Sequence, residues 1–320
     1  MKKIFYLFPI ICILGIFVTS CDTITDKTKL EIINVTNDIN NNTTWESDKV
    51  YLIQNKDLQI KATLTISSGA IIKFANKEGN ITVRQNGKII AHGTSTSPIV
   101  FTSYKDDNNG GDSDGDIANP AVGDWGTITI VESTGSEFYY CNFLYGGYYR
   151  NTTSNPTLDI SSSSSATVSN CKFENNGGGL NAGNYIGALQ TSWALNSTEI
   201  NNTSFKNNTL PLSINAELSI NNSNSFSNNT YNGIFVDGMY ITKNTSWLET
   251  EVAFVITSSN FTVNQNAKLT LGNSVVLKFL KDGMLSLNDG ESALINHDAT
   301  GVFFTSFKDD THGGDSNGNG

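Results

Sequence analysis

From Trp45 onward the apolar residues fall in short groups, Leu64–Ile66, Ile72–Phe74, Ile81–Val83, Ile89–Ala91 and Ile99–Phe101, each with a polar or small residue in its middle or at its flank. Their starts lie 8, 9, 8 and 10 residues apart, and Gly, Asn, Ser and Lys fill the gaps. Such a pattern predicts short strands joined by tight turns. A sandwich shares this spacing, but a three-sided coil explains it better, because every third group recurs after 25 residues (Leu64 to Ile89) or 27 (Ile72 to Ile99). That is about one turn of a parallel solenoid. No helical pattern of useful length interrupts it.

A second recurrence runs through the middle of the chain: CNFLYGG at Cys141, CKFENNGG at Cys171, TSFKNNT at Thr203 and NSFSNNTYNG at Asn224. Phe143, Phe173, Phe205 and Phe226 fall 30, 32 and 21 residues apart, an unevenness expected when loops on one edge vary. Phe173, Phe205 and Phe226 are expected to point inward as a stacked core. The pairs Asn175–Asn176, Asn207–Asn208 and Asn228–Asn229 follow at a fixed distance. Asparagine tolerates the left-handed backbone of a tight bend, and stacked amides hydrogen-bond from coil to coil. Cys141 and Cys171 are expected to be two buried thiols on successive coils, since parallel neighbours match disulfide torsions poorly.

A larger duplication overlies the coils, spanning about 43–116 and 245–320. TTWESDKVYLI aligns with TSWLETEVAFV, ATLTISSGAIIKF with AKLTLGNSVVLKF, and FTSYKDDNNGGDSDGD with FTSFKDDTHGGDSNGN, at offsets of 202, 205 and 203 residues. The last pair is identical at 11 of 16 positions. The first copy continues PAVGDWGTITI, whereas the second stops at Gly320, so the reading expects a C-terminal truncation and a further GDWG-like coil in the natural protein.

The F-x-N-N turns, the strands ATLTISSG and AKLTLGNS and the FTS…DD…GGD loops together resemble the right-handed parallel β-helix proteins of bacterial surfaces, the pectin-lyase-like superfamily. The resemblance covers roughly Trp45 to the end and implies an all-β, three-sided right-handed parallel β-helix. It carries no one activity, because that fold hosts lyases, hydrolases, adhesins and proteins without known chemistry.

The N-terminus adds an address. Residues 1–20 read as a signal peptide: two lysines precede an apolar run, Ile4–Val18, too short to span a bilayer. The run ends in VTSC, which resembles a bacterial lipobox and makes Cys21 the lipidated first mature residue. Residues 21–44, containing NDINNNTT, read as a flexible tether to the β-helix at 45–320. The expected location is a bacterial cell envelope, at the outer membrane or cell surface, with the lipid as the sole membrane contact. Against 30 Asp+Glu the chain has 20 Lys+Arg, or 18 once Lys2 and Lys3 leave, a net charge of −12. A surface so acidic excludes nucleic acid as partner.

The duplicated loops are the chemistry-bearing candidates. Asp106, Asp107, Asp112, Asp114 and Asp116 crowd into the first, and Asp309, Asp310, Asp315, Asn317 and Asn319 occupy the second. DSNGNG, at the end of the second copy, matches the opening of a calcium loop, and alternating carboxylates in a glycine-rich loop supply the oxygens that calcium requires. A structural calcium ion is therefore expected, with a solvated turn as the alternative. No catalytic residue stands out. The three histidines are read as turn or loop residues, and Asp159, Glu174 and Glu199 are undistinguished. Tyr145, Tyr148 and Tyr149 form the candidate ligand patch, with Tyr139, Tyr140, Trp193 and Tyr231 as extensions. Three functions stay open: binding a polysaccharide or other surface ligand without catalysis, polysaccharide cleavage by a lyase or hydrolase, and a passive adhesin stalk.

Overall fold

The structure is a computed structural model and describes residues 30–320 apart from 117, 149–153, 182, 289 and 299. Among these residues every helix or strand is a strand, and no helix long and apolar enough to cross a membrane is present. The chain is a parallel β-helix. Lys49–Ile53 lies in an eight-stranded sheet, Asp57–Ile60 in a ten-stranded sheet and Thr63–Ser67 in a six-stranded sheet, and Ile71–Phe74 returns to the first. Within these sheets neighbouring strands pair in parallel, each with the strand one coil away. A small antiparallel hairpin, Gly179–Asn181 with Asn184–Ile186, stands apart from them.

Alternation decides which side chains go in. Leu64 and Ile66 are buried while Thr63 and Thr65 face outward on the same strand, as the two-residue period of a strand requires. Leu64 pairs with Ile89, giving the coil of 25 residues read from the sequence. Ile72, however, pairs with Phe101 and not with Ile99. A shift of two residues leaves the same face inward, so periodicity alone cannot choose between these registers.

The tether reading of 21–44 is corrected for its described part. Glu31–Val35 pairs with Lys49–Ile53 in the eight-stranded sheet, and Ile39 bridges to Ile60. Val35 and Ile39 are buried. Polar residues beside them act as caps: Asp38 accepts the Gln59 N–H at 3.1 Å and Asn42 that of Thr63 at 3.1 Å. Burial of a few apolar side chains thus outweighs a linker-like composition. Residues 21–29 lie outside the described residues, as do Cys21 and the signal segment.

Two ladders run up the core. The rings of Phe101, Phe143, Phe173, Phe205 and Phe226 stack with successive centroid distances of 5.0, 4.6, 5.2 and 5.0 Å. The asparagine pairs divide their work. Asn175, Asn207 and Asn228 take the left-handed backbone, with φ of 57°, 55° and 55°. Asn176 and Asn208 are buried behind them. Asn208 Nδ2 donates to the Phe173 carbonyl at 2.9 Å and its Oδ1 accepts the Asn176 N–H at 3.0 Å, while Asn229 Oδ1 accepts the Asn208 N–H at 2.9 Å. Cys141 and Cys171 are free and buried beside this ladder.

Asn208→Ala leaves the buried Asn176 N–H without its acceptor and takes one donor from the Phe173 carbonyl, which keeps its place in the strand ladder; a buried unpaired group costs about 1–3 kcal/mol. Chemical denaturation should therefore show a loss of about 2 kcal/mol for this variant, whereas Asn207→Gly, which keeps a residue suited to positive φ, should change stability little.

Candidate functional site

Each acidic loop is built around a lysine. In Ile71–Phe74 the inward positions belong to Ile72 and Phe74, so Lys73 points outward, where a lysine ordinarily meets water. It is nevertheless fully buried, because the loop after Ser103 folds back over the sheet. Lys73 Nζ donates to the carbonyls of Asp106 at 2.9 Å and Gly111 at 2.6 Å. Burial lowers its pKa, and the charges of Asp106, Asp107, Asp114 and Asp112 oppose that shift. Gly110 sits so close to the sheet that a Cβ would lie 2.6 Å from Val50 Cγ2, and Val50, Ile71 and Val100 form a small apolar cluster in that part of the sheet.

The second copy repeats the device. Lys278, also fully buried, donates to the Gly314 carbonyl and to Ser316 Oγ at 3.1 Å. The strand that launches the first loop, Ile99–Ser103, belongs to the eight-stranded sheet, whereas its counterpart Phe303–Ser306 belongs to the ten-stranded sheet. The two loops therefore leave the β-helix from different faces. These lysines are the residues that the sequence reading passed over. The available signal was the same outward lysine in both aligned strands, IIKF and VLKF, each ahead of a DD…GGD loop.

The five carboxylates of the first loop do not act together. Asp107, Asp112 and Asp114 converge, with oxygens all within 4.8 Å of one another. Asp114 Oδ2 is buried and accepts no hydrogen bond, and burial raises the Asp114 pKa. Asp106 turns away and accepts from Thr102 Oγ1 at 2.7 Å and Asn109 Nδ2 at 2.8 Å. Asp116 Oδ1 caps the Ala118 N–H at 2.6 Å. Two cations accompany the loop: Lys73 lies beneath it, and Lys105 pairs with Asp124 at 3.1 Å. Three converging carboxylates with an orphaned buried oxygen fit a hard divalent cation such as calcium.

The second loop fills that place differently, despite its closer match to a calcium motif. Asn317 stands where the first copy has Asp114, and its Nδ2 donates to Asp310 Oδ1 at 3.1 Å and the Phe307 carbonyl at 3.1 Å. With two acceptors around it that atom must be the amide nitrogen, and it supplies the positive pole that a cation would. Asp309 repeats Asp106 by accepting from Thr305 Oγ1 at 2.7 Å, and hydrogen bonds from Thr311, Thr305 and His312 hold its pKa well below the usual range. Asp315 Oδ1 accepts the Gly318 N–H at 2.7 Å, and Asn317 Oδ1 that of Asn319 at 3.0 Å.

Tyr145 and Tyr148 of the tyrosine patch sit in different surroundings. Tyr145 is half-buried with φ of 62°; its carbonyl accepts the Asp124 N–H at 2.9 Å, and burial raises its hydroxyl pKa. Tyr148 lines a separate hollow of about 200 Å³ with Lys56, Asp57 and Glu78. Tyr149 lies outside the described residues. Another extension stands out instead. Trp193, in the turn after Leu189–Thr191, is 68% exposed and borders a hollow of about 250 Å³ with Tyr185, Gln190, Ser213, Asp237 and Thr257. In the ten-stranded sheet Gln190 pairs with Asp159 and Ser213. Burial raises the Asp159 carboxyl to about 7, which singles out a residue that looked ordinary in the sequence. His92 closes Lys88–His92 and meets Glu137 at 2.6 Å in the next coil, so it is a strand residue and not a turn residue.

A β-helix with excursion loops is the class of protein this geometry defines. Residues 37–154 match the pectate-lyase like beta helix domain family, and the coils on either side of that span continue the same architecture. No curated protein and no solved structure matches the chain.

Asp159 offers a measurable pH signature. Its folded pKa lies above the value of about 3.9 expected of an unfolded aspartate, so the stability present below pH 4 is lost as pH rises through about 7. A shift of that size corresponds to about 4 kcal/mol at full effect. Thermal melts from pH 4 to 8 should show this decline, and Asp159→Asn should flatten it.

Proposed function

We propose that this chain is the ligand-binding β-helix of a bacterial lipoprotein, held at the cell envelope through Cys21, which takes a glycan without cleaving it and carries a structural calcium ion in its first acidic loop. The observation behind the glycan is the Trp193 hollow. An exposed indole beside amide, hydroxyl and carboxylate groups suits a sugar, whose apolar ring faces stack on aromatics while its hydroxyls need polar partners. The envelope address rests on the VTSC sequence and the acidic mature chain.

A second reading is supported by Asp159. Asp159, its carboxyl raised to about 7, is the register neighbour in the next coil of Gln190, which lines the same hollow. A carboxyl of that acidity suits a general acid at neutral pH.

Size-exclusion chromatography with light scattering, on the protein mixed with a panel of polysaccharides, separates the two. Co-elution at unchanged chain length, weakened at least tenfold by Trp193→Ala, is the expected result. Shortened chains that persist in Trp193→Ala but vanish in Asp159→Asn would establish catalysis in its place, and no association with any glycan would favour the stalk.

Calcium is tested separately by isothermal titration. One site is expected, lost in Asp114→Asn, which gives the first loop the amide that the second already has. Asp315→Asn should leave the titration unchanged.

A further inference from the structure

The first copy shows what sits against Phe74, Ser103 and Lys105. Trp125 stacks on Phe74 with a centroid distance of 4.1 Å and an interplanar angle of 2°. Beside it Asp124 accepts from Ser103 Oγ at 3.1 Å and pairs with Lys105 Nζ at 3.1 Å. The Gly126 N–H donates to the Gly79 carbonyl at 3.0 Å. Phe74, Ser103 and Trp125 are fully buried by this arrangement. The segment Gly123-Asp124-Trp125-Gly126 is thus held by an aromatic face, a hydroxyl, an ammonium and a carbonyl.

The duplication places the same receiving groups in the second copy. Phe279 corresponds to Phe74, Ser306 to Ser103 and Lys308 to Lys105. The correspondence is geometric as well: Val276–Phe279 pairs with Phe303–Ser306 as Ile71–Phe74 pairs with Ile99–Ser103. The Lys308 N–H donates to Ser306 Oγ at 3.2 Å, as the Lys105 N–H does to Ser103 Oγ at 3.2 Å. Gly283 donates to the Leu280 carbonyl at 3.0 Å, as Gly79 does to that of Asn76 at 2.9 Å. Ser306 and Lys308 are exposed and Phe279 is only partly buried. Phe279, Gly283, Ser306 and Lys308 line one hollow of about 1040 Å³, with Phe304 and Tyr185 among the remaining walls.

We propose that this hollow is a docking site for a polypeptide segment of Gly-Asp-Trp-Gly type, its indole stacked on Phe279 and its carboxylate shared by Ser306 and Lys308. The charge matches, since Lys308 is the counterpart of Lys105, which pairs with the carboxylate of Asp124 in the first copy. The occupant is not residues 123–126 of a second folded copy, because Trp125 is fully buried in its own coil. This site does not rest on the glycan reading, although Tyr185 borders both hollows, and it uses another part of the surface than the first acidic loop.

The test uses the full chain and a fluorescein-labelled peptide with the sequence of Val122–Ile130, followed by fluorescence anisotropy. Saturable binding is expected, weakened at least tenfold when the peptide's tryptophan or aspartate is replaced by alanine. Lys308→Glu, at an exposed position that leaves the fold intact by thermal melt, should abolish binding of the parent peptide and restore it for a peptide with lysine in place of the aspartate. No binding, equal binding of the alanine peptides, or indifference to Lys308→Glu would each overturn the proposal.

Discussion

The structure depends on one constraint: each coil must satisfy its backbone and its side chains on the coil next to it, in parallel register. Parallel pairing sets strands about 4.8 Å apart with side chains directly over one another, so like tends to stack on like. The phenylalanine ladder exploits this, with ring separations of 4.6 to 5.2 Å that match the strand spacing. The buried asparagine ladder follows from the same repeat, because an amide has both a donor and an acceptor and can bond above and below at once.

Excursions from the coil face the opposite problem. A loop laid over a sheet covers outward side chains and brings backbone carbonyls into a dry place, where they need donors. A lysine on the underlying strand answers both needs, its stem packing along the sheet and its amine meeting the carbonyls of Asp106 and Gly111. Lys278 does this again for the second loop although that loop stands on a different sheet. Loop and lysine therefore form one unit, and the unit tolerates relocation because it depends on the strand beneath it.

The copies differ where Asp114 is replaced by Asn317. One loop gathers three carboxylates and leaves an oxygen without a donor; the other bridges its carboxylate with an amide. Sequence motifs ranked these loops in the reverse order, because a calcium signature accepts Asp or Asn alike and does not record which way an asparagine points. The aromatic candidates show the same limit. Tyr145 and Tyr148 are near neighbours in sequence, yet one is tied to the acidic loop and the other lines a hollow with Lys56 and Asp57. Trp193 borders a hollow with Gln190, and Gln190 is the register neighbour of Asp159, because strands distant in sequence lie side by side.

Sequence by itself determined the all-β class, the three-sided coil, the phenylalanine and asparagine ladders and the duplication, because these arise from short-range alternation and from repeats that recur at each turn. It misjudged the start of the β-helix and the pairing of Ile72, since polar composition hides buried caps and a two-residue slip keeps every inward residue inward. Only the tertiary structure decided which carboxylates converge, that Lys73 and Lys278 lie buried under the loops, and that the duplicated loops stand on different faces. Those facts depend on where a chain returns after an excursion, and that return is set by packing across coils, which no local pattern encodes.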